Sequence, residues 1–105
     1  MKLSLCSEVI RDLSFAQQCD FAAKLGYDAL EIAPFTLAED PRDLGPGDVA
    51  ALRRSLSDAG IVCSSLHWLL VSPEGLSVTS EDAEVHDRTV SVMRRLVELA
   101  GELGA

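Results

Sequence analysis

Lys24-Leu25-Gly26-Tyr27-Asp28-Ala29-Leu30-Glu31-Ile32-Ala33-Pro34 is the stretch that decides the fold. Gly26 directly follows an apolar helical stripe, and its permissive backbone suits a left-handed C-cap. From Tyr27 to Ala33 the side chains alternate. Leu30 and Ile32 point one way, Ala29, Glu31 and Ala33 point the other, and Pro34 closes the strand. The same phrase, a helix ending in Gly with a strand directly behind it, returns at Asp58-Ala59-Gly60-Ile61 and at Glu102-Leu103-Gly104-Ala105. Strands separated by helices run parallel with right-handed crossovers, so the chain reads as α/β with helices covering the sheet.

Outward from that phrase, Leu3 to Cys6 is a first strand. Ser14 and Gln17 have capping-box spacing for a helix that starts near Phe15 and buries Phe15, Cys19 and Ala22. The stretch Thr36 to Gly47 is rich in Pro, Gly and Asp and reads as a loop, before a helix with the stripe Val49, Leu52, Leu56 and Ala59. Ile61 to Trp68 is the third strand and Ser72 to Ser80 a polar loop. Thr79 or Ser80 is expected to cap a last helix whose buried face is Val85, Thr89, Val92, Leu96, Leu99 and Leu103.

Strand alternation gathers Ser4, Cys6, Ala29, Glu31, Ala33, Cys63, Ser65 and His67 on one face, and Leu3, Leu5, Leu30, Ile32, Val62 and Leu66 on the other. The small and polar set suits a barrel interior, the apolar set a layer beneath helices. No Gly-rich turn follows the first strand and no P-loop occurs, which disfavours a doubly wound nucleotide site. The strand ends carry Ser7 and Glu8, then Glu31, then His67 and Trp68, as a (β/α)8 TIM barrel requires of reactive groups. Such a barrel needs about 250 residues, against 105 here. The chain is therefore expected to be the first three βα units of a barrel, a single partial domain over residues 1–105 without strands four to eight.

Seventeen Asp and Glu against nine Lys and Arg give a net charge of -8, which repels phosphate backbones and anionic lipid. Nucleic acid and membranes are poor candidates as partners on that ground, and neither is expected. No run approaches the roughly 20 apolar residues of a membrane span, and there is no secretory signal pattern. Cys6, Cys19 and Cys63 are odd in number and form no C-x-x-C pair. Free thiols in the cytoplasm are the expectation.

Ala23-Lys24-Leu25-Gly26-Tyr27-Asp28-Ala29-Leu30-Glu31-Ile32-Ala33 resembles the second-strand signature of the sugar phosphate isomerase/epimerase family, the xylose-isomerase-like barrels. Asp58-Ala59-Gly60-Ile61-Val62-Cys63-Ser64-Ser65-Leu66-His67 resembles that family's third strand, and Thr79-Ser80-Glu81-Asp82-Ala83-Glu84-Val85 the start of its third helix. The resemblance implies isomerisation or epimerisation of ketoses and related sugars by proton transfer, with a divalent metal, manganese, magnesium or cobalt ahead of zinc. It also implies that the metal ligands and the two proton-transferring Glu residues come from the second half of the barrel. This chain alone then carries no catalytic residue, needs no metal of its own and is inactive by itself. A zinc-dependent endonuclease IV-like branch, which cleaves abasic DNA, ranks last because of the acidity. A non-catalytic module, self-associating or completing a sheet with another chain through open edges, is the alternative.

Three residues are singled out as substrate-binding. Glu31 would place a carboxylate on the barrel face, where it needs a ligand hydroxyl or an ion pair to a neighbouring Lys or Arg. His67, at the end of the third strand, would line the site or bind metal. Trp68, on the opposite parity, would pack in the core or against a sugar face. Glu8 and His86 read as solvated, and Cys6 and Cys63 as small apolar filler of the barrel interior rather than nucleophiles.

Overall fold

The three helix ends share one hydrogen-bonding solution. Tyr27 N donates to Ala22 O, Ile61 N to Leu56 O and Ala105 N to Ala100 O, while Gly26, Gly60 and Gly104 each donate to the carbonyl three residues back. This paired pattern is the Schellman motif, and it forces the glycine into the left-handed region; φ is 88°, 70° and 75° at the three positions. In the computed structural model, which describes residues 1–105, the elements are β1 (Ser4–Cys6), α1 (Phe15–Lys24), β2 (Ala29–Ile32), α2 (Pro46–Ala59), β3 (Val62–Leu66) and α3 (Ala83–Glu102).

Helix starts follow from side chains that satisfy orphan N–H groups. Ser14 Oγ accepts from Gln17 N and Gln17 Oε1 accepts from Ser14 N, the reciprocal box its sequence predicts. α2 begins earlier than its apolar stripe, inside the expected loop, because Pro46 at the first position forgoes no helical bond. The Asp48 carboxylate accepts from Gly45 N at 2.9 Å to close that end. The rest of the expected loop contains two 3-10 turns, Pro34–Thr36 and Pro41–Asp43. The cap of α3 is Asp82, not Thr79 or Ser80: its Oδ1 accepts from Glu84 N and Val85 N. Ser80 Oγ instead accepts from Asp82 N, holding the capping residue from outside.

The strands form one parallel sheet in the order β1-β2-β3. These are the first βα units of a TIM barrel. β2 is central, and Leu30 and Ile32 are fully buried on its helix side with Cys19 and Ala22 of α1, Val49 and Leu56 of α2, and Val92, Leu96 and Leu99 of α3. A bulge interrupts β3: Leu30 pairs with Cys63, but Glu31 pairs with Ser65, leaving Ser64 extra. Simple alternation therefore fails in the first half of β3. Cys63, expected inside the barrel, is 3% exposed in the helix-side core, and Val62, expected beneath the helices, is 61% exposed on the opposite face. Ser64 Oγ donates to Leu30 O and shares a 2.7 Å hydrogen bond with Ser4 Oγ. Past the bulge the expected parity returns, with Leu66 against Ile32 and His67 on the face of Glu31. The regular strand ends at Leu66 rather than Trp68, and His67 N donates the last ladder bond to Ile32 O. No helix is long and apolar enough to cross a membrane.

Candidate functional site

The carboxyl ends of all three strands meet at one cluster. Cys6 closes β1 directly opposite Glu31 of β2. The turn after β1 (Ser7–Ile10) buries the Ser7 side chain, whose hydroxyl accepts from Ala33 N at 3.0 Å. That bond ties the exit of β1 to the exit of β2 and fixes Cys6 beside Glu31.

Glu31 has no Lys or Arg partner. Its Oε2 accepts from Cys6 Sγ at 3.3 Å, and its Oε1 lies 3.7 Å from His67 Nδ1. The His67 side chain is only 14% exposed, and neither ring nitrogen has a hydrogen-bond partner although both are buried. A buried polar nitrogen without a partner costs the full desolvation of that group, about 1–3 kcal/mol, so the imidazole is poised to receive one. Cys6 Sγ, a Glu31 oxygen and a His67 nitrogen all lie within 4.8 Å of one another, a sulfur, oxygen and nitrogen set that could hold a cation.

Burial, then the hydrogen bond and charge of Glu31 and the charge of Glu8, push the Cys6 thiol above its ordinary value. It is protonated at neutral pH and is not a nucleophile. It is also not inert filler, since it is the one side chain that donates to Glu31. The sequence held a signal for this pairing, the shared parity of Cys6 and Glu31, but not the register that puts them side by side.

Trp68 does not pack in the core. It is 58% exposed, has a left-handed φ of 55°, and stacks on Phe35 with ring centroids 6.2 Å apart. Its ring also meets His67 edge-on at 6.4 Å. A bulky residue is rarely found at positive φ outside sites that hold it there. The result is an exposed aromatic step beside the Glu31 and His67 pair, to which Phe35 contributes without any distinguishing sequence signal. Glu8 lies in the turn after β1, partly exposed, and His86 lies on α3, more than half exposed beside Asp87. A groove of about 450 Å³ along α3, lined by Val78, Val90, Met93 and Val97 among others, shares no residue with the strand-end cluster.

Parallel βα units with polar groups gathered at the strands' carboxyl ends define a wall of the TIM-barrel type. The xylose isomerase-like TIM barrel family matches residues 19–105, and the chain belongs to that family. No curated protein matches the sequence. Among solved structures, a D-psicose 3-epimerase crystallised in the presence of D-fructose superposes with a TM-score of 0.70 at 23% identity, over 99% of this chain and 35% of that one. The chain thus spans about a third of the length of that structure, and the likeness is one of fold.

Proposed function

We propose that the chain forms one wall of the substrate pocket in a divalent-metal-dependent sugar isomerase or epimerase that acts on a ketose or related sugar by proton transfer. The observation that carries this is the grouping of Glu31, His67 and Trp68 at the strand ends, a carboxylate and an imidazole beside an exposed aromatic face. Family membership and the fold of a D-psicose 3-epimerase support the reaction class. The net charge of -8 supports a neutral small molecule over nucleic acid or an anionic membrane, and three free thiols support a cytoplasmic setting.

Abstraction of a proton beside a carbonyl needs a positioned base and an electrophile for the enediolate. A divalent metal, manganese, magnesium or cobalt, supplies the electrophile when bound, and the acid–base carboxylates are expected from strands that follow these three in a complete barrel. The residues of this chain orient the substrate. Glu31 accepts from a sugar hydroxyl, a His67 ring nitrogen pairs with another, and Trp68 with Phe35 covers an apolar ring face.

Assay of the full-length protein against a panel of ketoses, with and without each metal, tests the proposal. Metal-dependent conversion is expected, and Glu31→Gln or His67→Gln should raise KM by about tenfold, the worth of one or two hydrogen bonds. Absence of conversion with every metal, or variants with unchanged KM and kcat, would overturn it.

A further inference from the structure

We propose that Cys6, Glu31 and His67 form a cation site of their own, selective for zinc-like divalent ions over magnesium and built wholly from the ends of β1, β2 and β3. It goes beyond the substrate-wall role, since it needs no residue outside this chain and no sugar.

The distances carry the inference. A tetrahedral ion with metal–sulfur bonds near 2.3 Å and metal–nitrogen or metal–oxygen bonds near 2.0–2.1 Å separates its donors by about 3.3–3.6 Å. Here Cys6 Sγ lies 3.3 Å from Glu31 Oε2 and His67 Nδ1 lies 3.7 Å from Glu31 Oε1. With one donor atom from each residue, the three lie within 4.8 Å of one another, so a small inward shift of side chains from three strands brings them to coordination spacing. The second, independent observation is the unpartnered imidazole: both nitrogens of His67 are buried without a hydrogen bond, and Nδ1 faces Glu31. A metal bond at that nitrogen supplies Nδ1 with the partner that no protein group gives it.

The donor set decides the ion. Magnesium and calcium take oxygen ligands, whereas a thiolate with an imidazole suits zinc or cobalt. As the metal–sulfur bond forms, the thiol proton, now shared toward Glu31 Oε2, leaves to solvent, and thiolate and carboxylate together balance the divalent charge. Three protein ligands leave a fourth position for water or a substrate oxygen. Ser7, bonded to Ala33 N, holds the β1 end in place behind the site.

Titration of this 105-residue chain with Co²⁺ tests the site. A near-ultraviolet thiolate-to-cobalt charge-transfer band is expected to grow with Co²⁺, disappear on addition of Zn²⁺ and be unaffected by Mg²⁺. Cys6→Ser should abolish the band and Cys63→Ser, in the core, should keep it. His67→Gln should weaken Co²⁺ binding by more than about tenfold, since loss of even an outer-shell group costs that much. Co²⁺ should also quench the fluorescence of Trp68, the single tryptophan, a readout on the unaltered chain that needs no variant to fold. Absence of both the band and the quenching, or a band that persists in folded Cys6→Ser, would overturn the site. None of these readouts involves sugar turnover, so failure here and failure of the isomerase proposal are separable.

Discussion

Ser7 has no exposed surface, and its hydroxyl is the only partner that the Ala33 N–H finds at the end of β2. Ser7→Ala strands that buried N–H, and we expect a loss of about 1–3 kcal/mol, read as a lower urea midpoint with an unchanged slope. Cys19 and Cys63 offer a second measurement. Burial, as the main cause, pushes both thiols up from 9.0 to about 11. In the unfolded chain they ionise near the lower value, so their contribution to stability is full below pH 9.0 and declines between 9.0 and about 11. Urea midpoints across that window should fall, and fall less steeply in the Cys19→Ala/Cys63→Ala double variant. At this scale Glu31 and His67 were legible, because strand alternation puts them on one face near the strand ends. The contacts of Cys6 and Trp68 were not. A cross-strand contact depends on register and a left-handed φ on the whole strand exit, neither of which is written in local residue type.

Helix caps set a different scale of test. Asp82→Ala removes the acceptor for two N–H groups at the start of α3 and should cost about 1 kcal/mol, while Ser80→Ala, one step outside the helix, should cost less. A comparison of thermal midpoints settles which residue is the cap. Gly60→Ala separates space from backbone strain. No atom lies within 4 Å of an added Cβ there, yet φ is +70°, so a loss of about 1–2 kcal/mol would come from the left-handed backbone alone. The glycine-then-strand phrase made the order of all six elements legible, because the Schellman motif has a strict residue requirement. The α3 cap was misplaced for a physical reason: Thr79, Ser80 and Asp82 are all competent acceptors, and only the path of the preceding loop chooses among them. The β3 bulge was hidden too, since an unpaired Ser64 has the composition of any strand residue.

The molecule as a whole measures 46 × 26 × 25 Å, with a Cα radius of gyration of 14.3 Å. A compact chain of this length would have a radius near 13 Å, so the molecule is elongated, one sheet with helices on one side. β1 and β3 are its edges, and Val62 and Val97 are among its exposed apolar side chains. We expect small-angle scattering of this 105-residue chain to give a radius that rises with concentration as edges or apolar flanks meet, and Val62→Lys with Val97→Lys to suppress the rise. A radius independent of concentration would count against edge pairing. The parallel architecture was legible from the repeated phrase, and its one-sided covering from the apolar and small-polar strand faces; its elongated outline was not, because overall dimensions depend on loop paths that a local pattern does not describe. The bulge in β3 has one further consequence. Strands tolerate insertions and deletions poorly, because a change of one residue turns every later side chain to the opposite face. In β3 the surplus residue lies between two stretches that already agree with β2. A chain lacking Ser64 would keep Cys63 beneath the helices and His67 beside Glu31, losing only the two hydroxyl bonds of Ser64. The third strand thus contains one position where its length can change by a residue while the site at its end stays in phase.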